Sequence, residues 1–170
     1  MKMGKTWEIV LMGFLTAIVF AAQVAMGFLP NIEMVTLLFI LYTLVLGKKV
    51  FFIIYVFVFL EGIFYGFGLW WINYLYVWTV QCIITLFLRK QTSVIFWCII
   101  SGFYGITFGA LCAIPYFFMG GIPSAFAYWV SGIIYDIPHC IGNIIICLLL
   151  FKPLYKILNQ AINRELEFNR

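Results

Sequence analysis

Along the chain, long apolar blocks alternate with short breaks made of charges, glycines and prolines. The blocks fall at residues 8–29, 32–46, 50–67, 69–88, 93–116 and 124–151. A helix rises about 1.5 Å per residue and a bilayer core is about 30 Å thick, so a span needs roughly 20 apolar residues. The pattern therefore predicts an all-α integral membrane protein, a single six-helix domain over residues 1–170. The second block is short, but Gly47-Lys48-Lys49 would otherwise place two cations inside one long helix, so a tight hairpin is expected there. Beyond Pro153, Leu154, Leu158, Ala161, Ile162 and Leu166 recur at helical spacing, with Lys156, Arg164, Glu165 and Glu167 between them. That spacing predicts an amphipathic tail over 152–170, lying on the cytoplasmic face.

The distribution of cations gives an orientation. All ten basic residues lie before block 1 (Lys2, Lys5), after block 2 (Lys48, Lys49), after block 4 (Arg89, Lys90) or after block 6 (Lys152, Lys156, Arg164, Arg170). The intervening connections, around Pro30-Asn31, Gly66–Gly68 and 117–123, carry none. Because cytoplasmic loops are rich in Lys and Arg, both termini are expected inside and three uncharged loops outside. The net charge of +4 is therefore an orientation signal and not a nucleic-acid footprint. Lys2 and Lys5 before an apolar run also resemble a signal peptide, but the run from Ile9 to Leu29 lacks a small-x-small cleavage site, which favours an uncleaved first helix.

Composition narrows the chemistry. The chain is 66% hydrophobic, 21% aromatic and 9% charged, with a mean hydropathy of +1.13. Six spans leave no room for a soluble catalytic or nucleotide-binding domain, so any energy source must be an ion gradient or a partner. Cys82, Cys98, Cys112, Cys140 and Cys147 sit in apolar runs without CxxC spacing and read as small buried hydrophobes.

Several constellations stand out. Trp70, Trp71, Tyr74, Tyr76 and Trp78 form either an interfacial belt or a surface on which a ligand stacks. Gly13, Ala17, Ala21 and Ala25 make a stripe of small residues on helix 1, suited to close approach of another helix, inside the bundle or from a partner. Gly102, Gly105, Gly109 and Ala113 make a second stripe, expected to pack internally. Glu33, Glu61, Asp136 and His139 are the ionisable side chains, apart from Tyr and Cys, within or at the outer edge of the spans. Such groups are costly in a membrane and face a partner, a cavity or a pathway. Glu33 could equally serve the N-terminus of helix 2 electrostatically. Asp136, His139, Cys140 and Asn143 share one face of helix 6 around Pro138, which frees a backbone carbonyl. That face is either an interhelical clamp to Glu61, Gln81 or Ser101, or part of a binding site. One His and one Asp fall short of a metal-ligand set, and no Ser or Cys stands in a catalytic motif with His139, so no enzyme, cofactor or metal is expected. The outer half holds no Lys or Arg, so a ligand there should be neutral or cationic, aromatic or heterocyclic, held by stacking and a few hydrogen bonds.

The chain resembles the substrate-binding S components of bacterial energy-coupling factor (ECF) vitamin transporters. The likeness rests on length, six spans, the Ala17-xxx-Ala21-xxx-Ala25 stripe, Leu29-Pro30-Asn31-Ile32-Glu33 at the first outer loop, and the closing run from His139-Cys140-Ile141-Gly142-Asn143 through Lys152-Pro153-Leu154. The resemblance implies a multi-pass subunit of the bacterial cell membrane that captures a vitamin outside and topples to release it inside. Its partners would be a transmembrane coupling subunit (T component), docked on Gly13, Ala17, Ala21 and Ala25, and two cytoplasmic ATPases that use the ATP. Asn31 and Glu33 would lie by the lid loop, with His139 and Asn143 facing the pocket. Polarity and depth add Glu61, Trp71, Asn73 and Asp136 to that set. The competing readings are an autonomous permease with Glu61, Asp136 and His139 as a proton relay, and a structural or assembly protein without a ligand.

Overall fold

The structure, a computed structural model, describes the backbone of residues 5–168 and the side chains of residues 5–162. Lys2 and Arg170, and the side chains of Arg164, Glu165, Leu166 and Glu167 assigned to the tail, lie outside the described residues. Every regular element described is helical: α1 (Lys5–Met26), α2 (Val35–Leu46), a single 3-10 turn (Gly47–Lys49), α3 (Val50–Tyr65), α4 (Leu69–Leu88), α5 (Val94–Cys112) and α6 (Ile114–Phe168). Five helical stretches are long and apolar enough to cross a membrane, with Val35–Tyr65 counted as one of them.

That one stretch is nevertheless bent back on itself. Phe39 and Phe57 meet edge to face with ring centroids 5.5 Å apart, whereas a straight helix would separate them by roughly 27 Å. The reversal occurs at Gly47, whose φ of +60° is open to glycine and strained for other residues. Gly47 also donates its amide to the carbonyl of Thr43, closing the helix end.

α2 is the centre of the bundle. All residues from Val35 to Thr43 are buried, so the helix has no lipid-facing side and reads as apolar all round. α4 crosses it through Phe39 and Trp78, while α1 reaches it through the Tyr42 hydroxyl, which donates to the carbonyl of Leu15. On the outside, Phe14, Phe52, Phe87, Phe103, Leu148 and Leu149 are exposed. Apolar side chains outside with Glu61, Gln81, Asp136, His139 and Asn143 buried inside is the distribution expected of a bundle in lipid.

The two small-residue stripes have opposite fates. Gly102, Gly105, Gly109 and Ala113 are buried against α6, and a Cβ on Gly105 would lie 2.8 Å from the backbone nitrogen of Cys140. Gly102 faces Ile144 and Gly109 faces Asp136, so the two helices run antiparallel at a separation only glycine permits. Gly13, Ala17, Ala21 and Ala25 are exposed, and a Cβ on Gly13 would meet nothing within 4 Å. Helix α1 packs through Met12, Leu15, Thr16 and Val19 on its other face.

Several boundaries differ from the expected ones: α1 ends at Met26, α2 starts at Val35 and α3 ends at Tyr65, and the largest differences surround α5 and α6. α5 ends at Cys112 and not at residue 116: Pro115 has no amide to donate to the carbonyl of Leu111, which accepts the Tyr76 hydroxyl at 2.7 Å instead. The chain is helical again from Ile114, and the reversal falls inside α6 at Gly120 and Gly121, the latter at φ +69°, which brings Tyr116 and Tyr128 to stack 4.0 Å apart. From there the helix continues past Pro138 and Pro153 into the tail. In the tail, Leu154 and Leu158 pack on the bundle while Lys156 is exposed. Cys82, Cys98, Cys112 and Cys147 are buried, and Cys140 is partly so; all five are free thiols.

Replacing Gly105 by Val should lower the thermal midpoint of the detergent-purified chain steeply, since its new Cβ meets backbone, with overpacking costing about 1–3 kcal/mol or more. Gly13→Val, with open space around it, should leave the stability within about 0.5 kcal/mol of the starting protein and the midpoint nearly unchanged. Size-exclusion thermal-stability profiles of the two variants check both.

Candidate functional site

At the end of the bundle remote from the lysines, the connection 27–34 lies over a cavity of about 230 Å³. Gln23, Asn31, Glu33, Tyr74, Trp78 and His139 are among the side chains that line it, with Phe108 beside them. Asn31 is the one non-glycine residue with a left-handed backbone among those described, at φ +56°. Asparagine tolerates this conformation, and its amide Nδ2 donates to the carbonyl of Tyr135 at 2.9 Å, tying the loop to α6.

Glu33 does two things. Its Oε2 accepts the backbone amide of Thr36 at 2.8 Å, satisfying a donor at the exposed end of the α2 ladder. Its Oε1 lies 3.2 Å from His139 Nε2 on the cavity wall and also takes the Thr36 hydroxyl. The imidazole is almost fully buried, stands edge-on to Phe108 at 5.0 Å, and leaves Nδ1 without a partner. A carboxylate and an imidazole thus present polar atoms to a chamber whose wall also includes Tyr74, Trp78 and Phe108 with the amides of Gln23 and Asn31.

Thr36 holds this arrangement together, and its importance was not visible in the sequence. Besides Glu33, it receives Gln81 Nε2 on its carbonyl at 2.7 Å and Asn143 Nδ2 on its hydroxyl at 3.4 Å. Asn143 also donates to the carbonyl of Ser101 at 3.3 Å. One buried threonine therefore links α2 to α4 and α6, and through Asn143 to α5.

A second cavity of about 240 Å³ adjoins the first and shares Gln23, Gly27 and Tyr74 with it. Glu61, Tyr65 and Trp70 complete its wall. Glu61 is 1% exposed, and its Oε1 has no hydrogen-bond partner. A buried, unmatched carboxylate costs stability and is retained where something else uses it.

The anticipated residues therefore separate. Asn31, Glu33 and His139 meet at the first cavity, and Glu61 lines the second. Trp71, Asn73, Asp136 and Asn143 line neither. The Trp71 indole donates to the carbonyl of Val58 at 2.8 Å over Gly62, and Asn73 Oδ1 lies 3.0 Å from the Tyr76 hydroxyl. Asp136 Oδ1 accepts the amide of Gly109 at 3.0 Å, pinning α6 to α5. On the helix 6 face, Asp136 and Asn143 make interhelical bonds, the latter to Ser101 as the clamp reading expected, while His139 lines the first cavity. None of the five clustered Trp and Tyr residues of α4 is exposed, and Tyr74 stands between the two cavities. Gln23, Tyr74, Trp78 and Phe108 were not singled out as a group, because their convergence depends on how α1, α4 and α5 cross.

Fold and composition together give this chain the make-up of a multi-pass helical membrane protein with an aromatic, acidic chamber at one end. It matches no protein-family model, no curated protein and no solved structure.

Thr36→Val keeps the backbone bonds but removes the hydroxyl shared by Glu33 and Asn143, and should destabilise by about 1–3 kcal/mol. Glu61→Leu should act oppositely. Replacing an unpartnered buried carboxylate by an apolar side chain of similar size should raise the ligand-free thermal midpoint by about 2–4 °C. A lower midpoint would mean that Glu61 is a structural residue.

Proposed function

We propose that this chain is the substrate-capturing membrane subunit of an ECF-type, ATP-driven importer of the bacterial cell membrane. The observation that carries the reading is the cavity beneath the 27–34 connection, with the Glu33–His139 pair on its wall, aromatic side chains around it and no Lys or Arg lining it. In this reading the chain crosses the membrane six times with both termini in the cytoplasm. The reversal at Gly47 supports counting α2 and α3 as separate crossings, and the gathering of Lys49, Arg89 and Lys152 at the opposite end from the chamber supports the orientation.

The ligand is a vitamin or related micronutrient carrying one small heteroaromatic ring, neutral or cationic. About 230 Å³ accommodates a single ring system better than a large macrocycle. Glu33 and His139 hydrogen-bond its polar edge, one ring of the perpendicular Tyr74–Trp78 pair stacks on its face while the other meets its edge, and Asn31 holds the lid. Binding from outside requires the 27–34 connection to lift away from Tyr135, and its closure then excludes water.

Transport needs a second surface. The exposed stripe of Gly13, Ala17, Ala21 and Ala25 lets another helix approach α1 closely, which supports docking on a coupling subunit driven by two cytoplasmic ATPases. The chain uses no cofactor and catalyses no reaction of its own.

Native mass spectrometry of the detergent-purified chain should reveal a co-purifying small molecule that His139→Ala removes while the fold is retained. An empty spectrum at every expression condition, or an adduct unaffected by His139→Ala, would overturn the site. In cells, Ala21→Leu should abolish uptake of that molecule while leaving its binding to the purified chain unchanged. Uptake by this chain alone in vesicles under an ion gradient would assign it instead to an autonomous permease.

A further inference from the structure

At the basic end of the bundle, a third cavity of about 300 Å³ opens between the end of α2, the α4–α5 turn and the last part of α6. It is independent of the ligand chamber and of the importer reading. Its floor is apolar: Leu44 and Val94 lie with buried Trp97 and Phe151. Its rim carries Arg89 and Lys152 together with Gln91, Thr92 and Tyr155. The Trp97 indole donates to the carbonyl of Gln91 at 3.2 Å, fixing the turn over the aromatic floor.

Two cations face this cavity and no carboxylate lines it. The ion pairs among the described residues are Lys49 with Glu8 and His139 with Glu33, and neither Arg89 nor Lys152 meets a carboxylate of a described residue. Orientation by positive residues requires only that they lie at this end; it does not require them to converge on one concavity with three further hydrogen-bonding groups. A guanidinium, an ammonium, an amide and two hydroxyls above an apolar floor match an anion whose charged part is small and whose remainder is apolar.

We infer that this cavity binds the phosphate of an anionic phospholipid headgroup. Arg89 and Lys152 hold the phosphate oxygens, Gln91, Thr92 and Tyr155 bond the glycerol-side oxygens, and the acyl chains leave along the exposed apolar flank of the bundle. The shape agrees with a site at headgroup depth, where aromatic rings sit at the boundary between hydrocarbon and water. A soluble phosphate would leave the apolar floor unmatched.

The test is native mass spectrometry of the detergent-purified full chain titrated with phosphatidylglycerol or phosphatidylcholine. Phosphatidylglycerol should bind preferentially, and the pair Arg89→Gln with Lys152→Gln should weaken it roughly thirtyfold, the effect of two basic residues at an anionic surface. Lys48→Gln with Lys90→Gln removes the same charge from exposed positions outside the cavity and should change binding little. The conservative pair Arg89→Lys with Lys152→Arg should retain it, which separates lost chemistry from lost fold. Equal weakening by the two Gln pairs would reduce the effect to diffuse surface charge and sink the site. So would equal binding of phosphatidylcholine, or unchanged binding in Arg89→Gln with Lys152→Gln. Displacement of the lipid by millimolar inorganic phosphate or glycerol 3-phosphate would reassign the cavity to soluble anions and overturn the lipid assignment.

Discussion

The bonds around Thr36 are the constraint on which the rest of the structure depends. A helix buried on every side, as α2 is, gains no orientation from an amphipathic stripe, because apolar contacts alone allow it to rotate or slide. Glu33, Gln81 and Asn143 remove that freedom by bonding one residue at the first turn of α2. The same bonds bring the Glu33 carboxylate to His139, so the interaction that fixes the register of the central helix also builds the wall of the chamber. Fold and site share atoms here, and Thr36 matters to both without lining the cavity.

Around that centre the packing depends on backbone separation. α5 and α6 approach until Gly105 touches the backbone at Cys140 and Gly109 sits against Asp136, contacts no larger residue allows. In lipid the apolar medium offers little reward for burying leucines, so close backbone contact and internal hydrogen bonds do the holding. The Asp136 to Gly109 bond fits this scheme: the absent Cβ admits the carboxylate, and the carboxylate takes the amide of the residue that admitted it. Where a small-residue stripe is left exposed, as on α1, the same physics leaves room for another helix.

Charge divides the molecule along its length. One end gathers Lys49, Arg89 and Lys152, with a basic concavity between Leu44 and Tyr155. The other has Glu33, Glu61 and His139 arranged about two adjoining cavities separated by Tyr74 and Gln23. Cations favour the anionic surface at one end, and the carboxylates at the other favour a neutral or positive guest. Glu61, buried without a partner for Oε1, is a local cost that an apolar residue would avoid.

The sequence by itself determined the helical class, the position of most breaks, the Gly47 hairpin and the internal fate of the Gly102–Ala113 stripe. These follow from chain-local rules: spans have a length, glycine and proline have fixed backbone preferences, and cations avoid hydrocarbon. It also picked out Asn31, Glu33, Glu61 and His139, because an ionisable or amide group in an apolar run is conspicuous wherever it points. Only the tertiary structure decided which of the conspicuous polar residues meet. Asp136 and Asn143 lie on the same helical face as His139, yet their partners are Gly109, Thr36 and Ser101, and the first cavity is left to His139. Thr36 is ordinary in sequence and central in space, and Gln23, an amide in the apolar run of α1, gains its place only by lining both cavities. Helical spacing fixes a direction around one axis, whereas a site is set by where several axes cross, and that crossing comes from packing between distant segments.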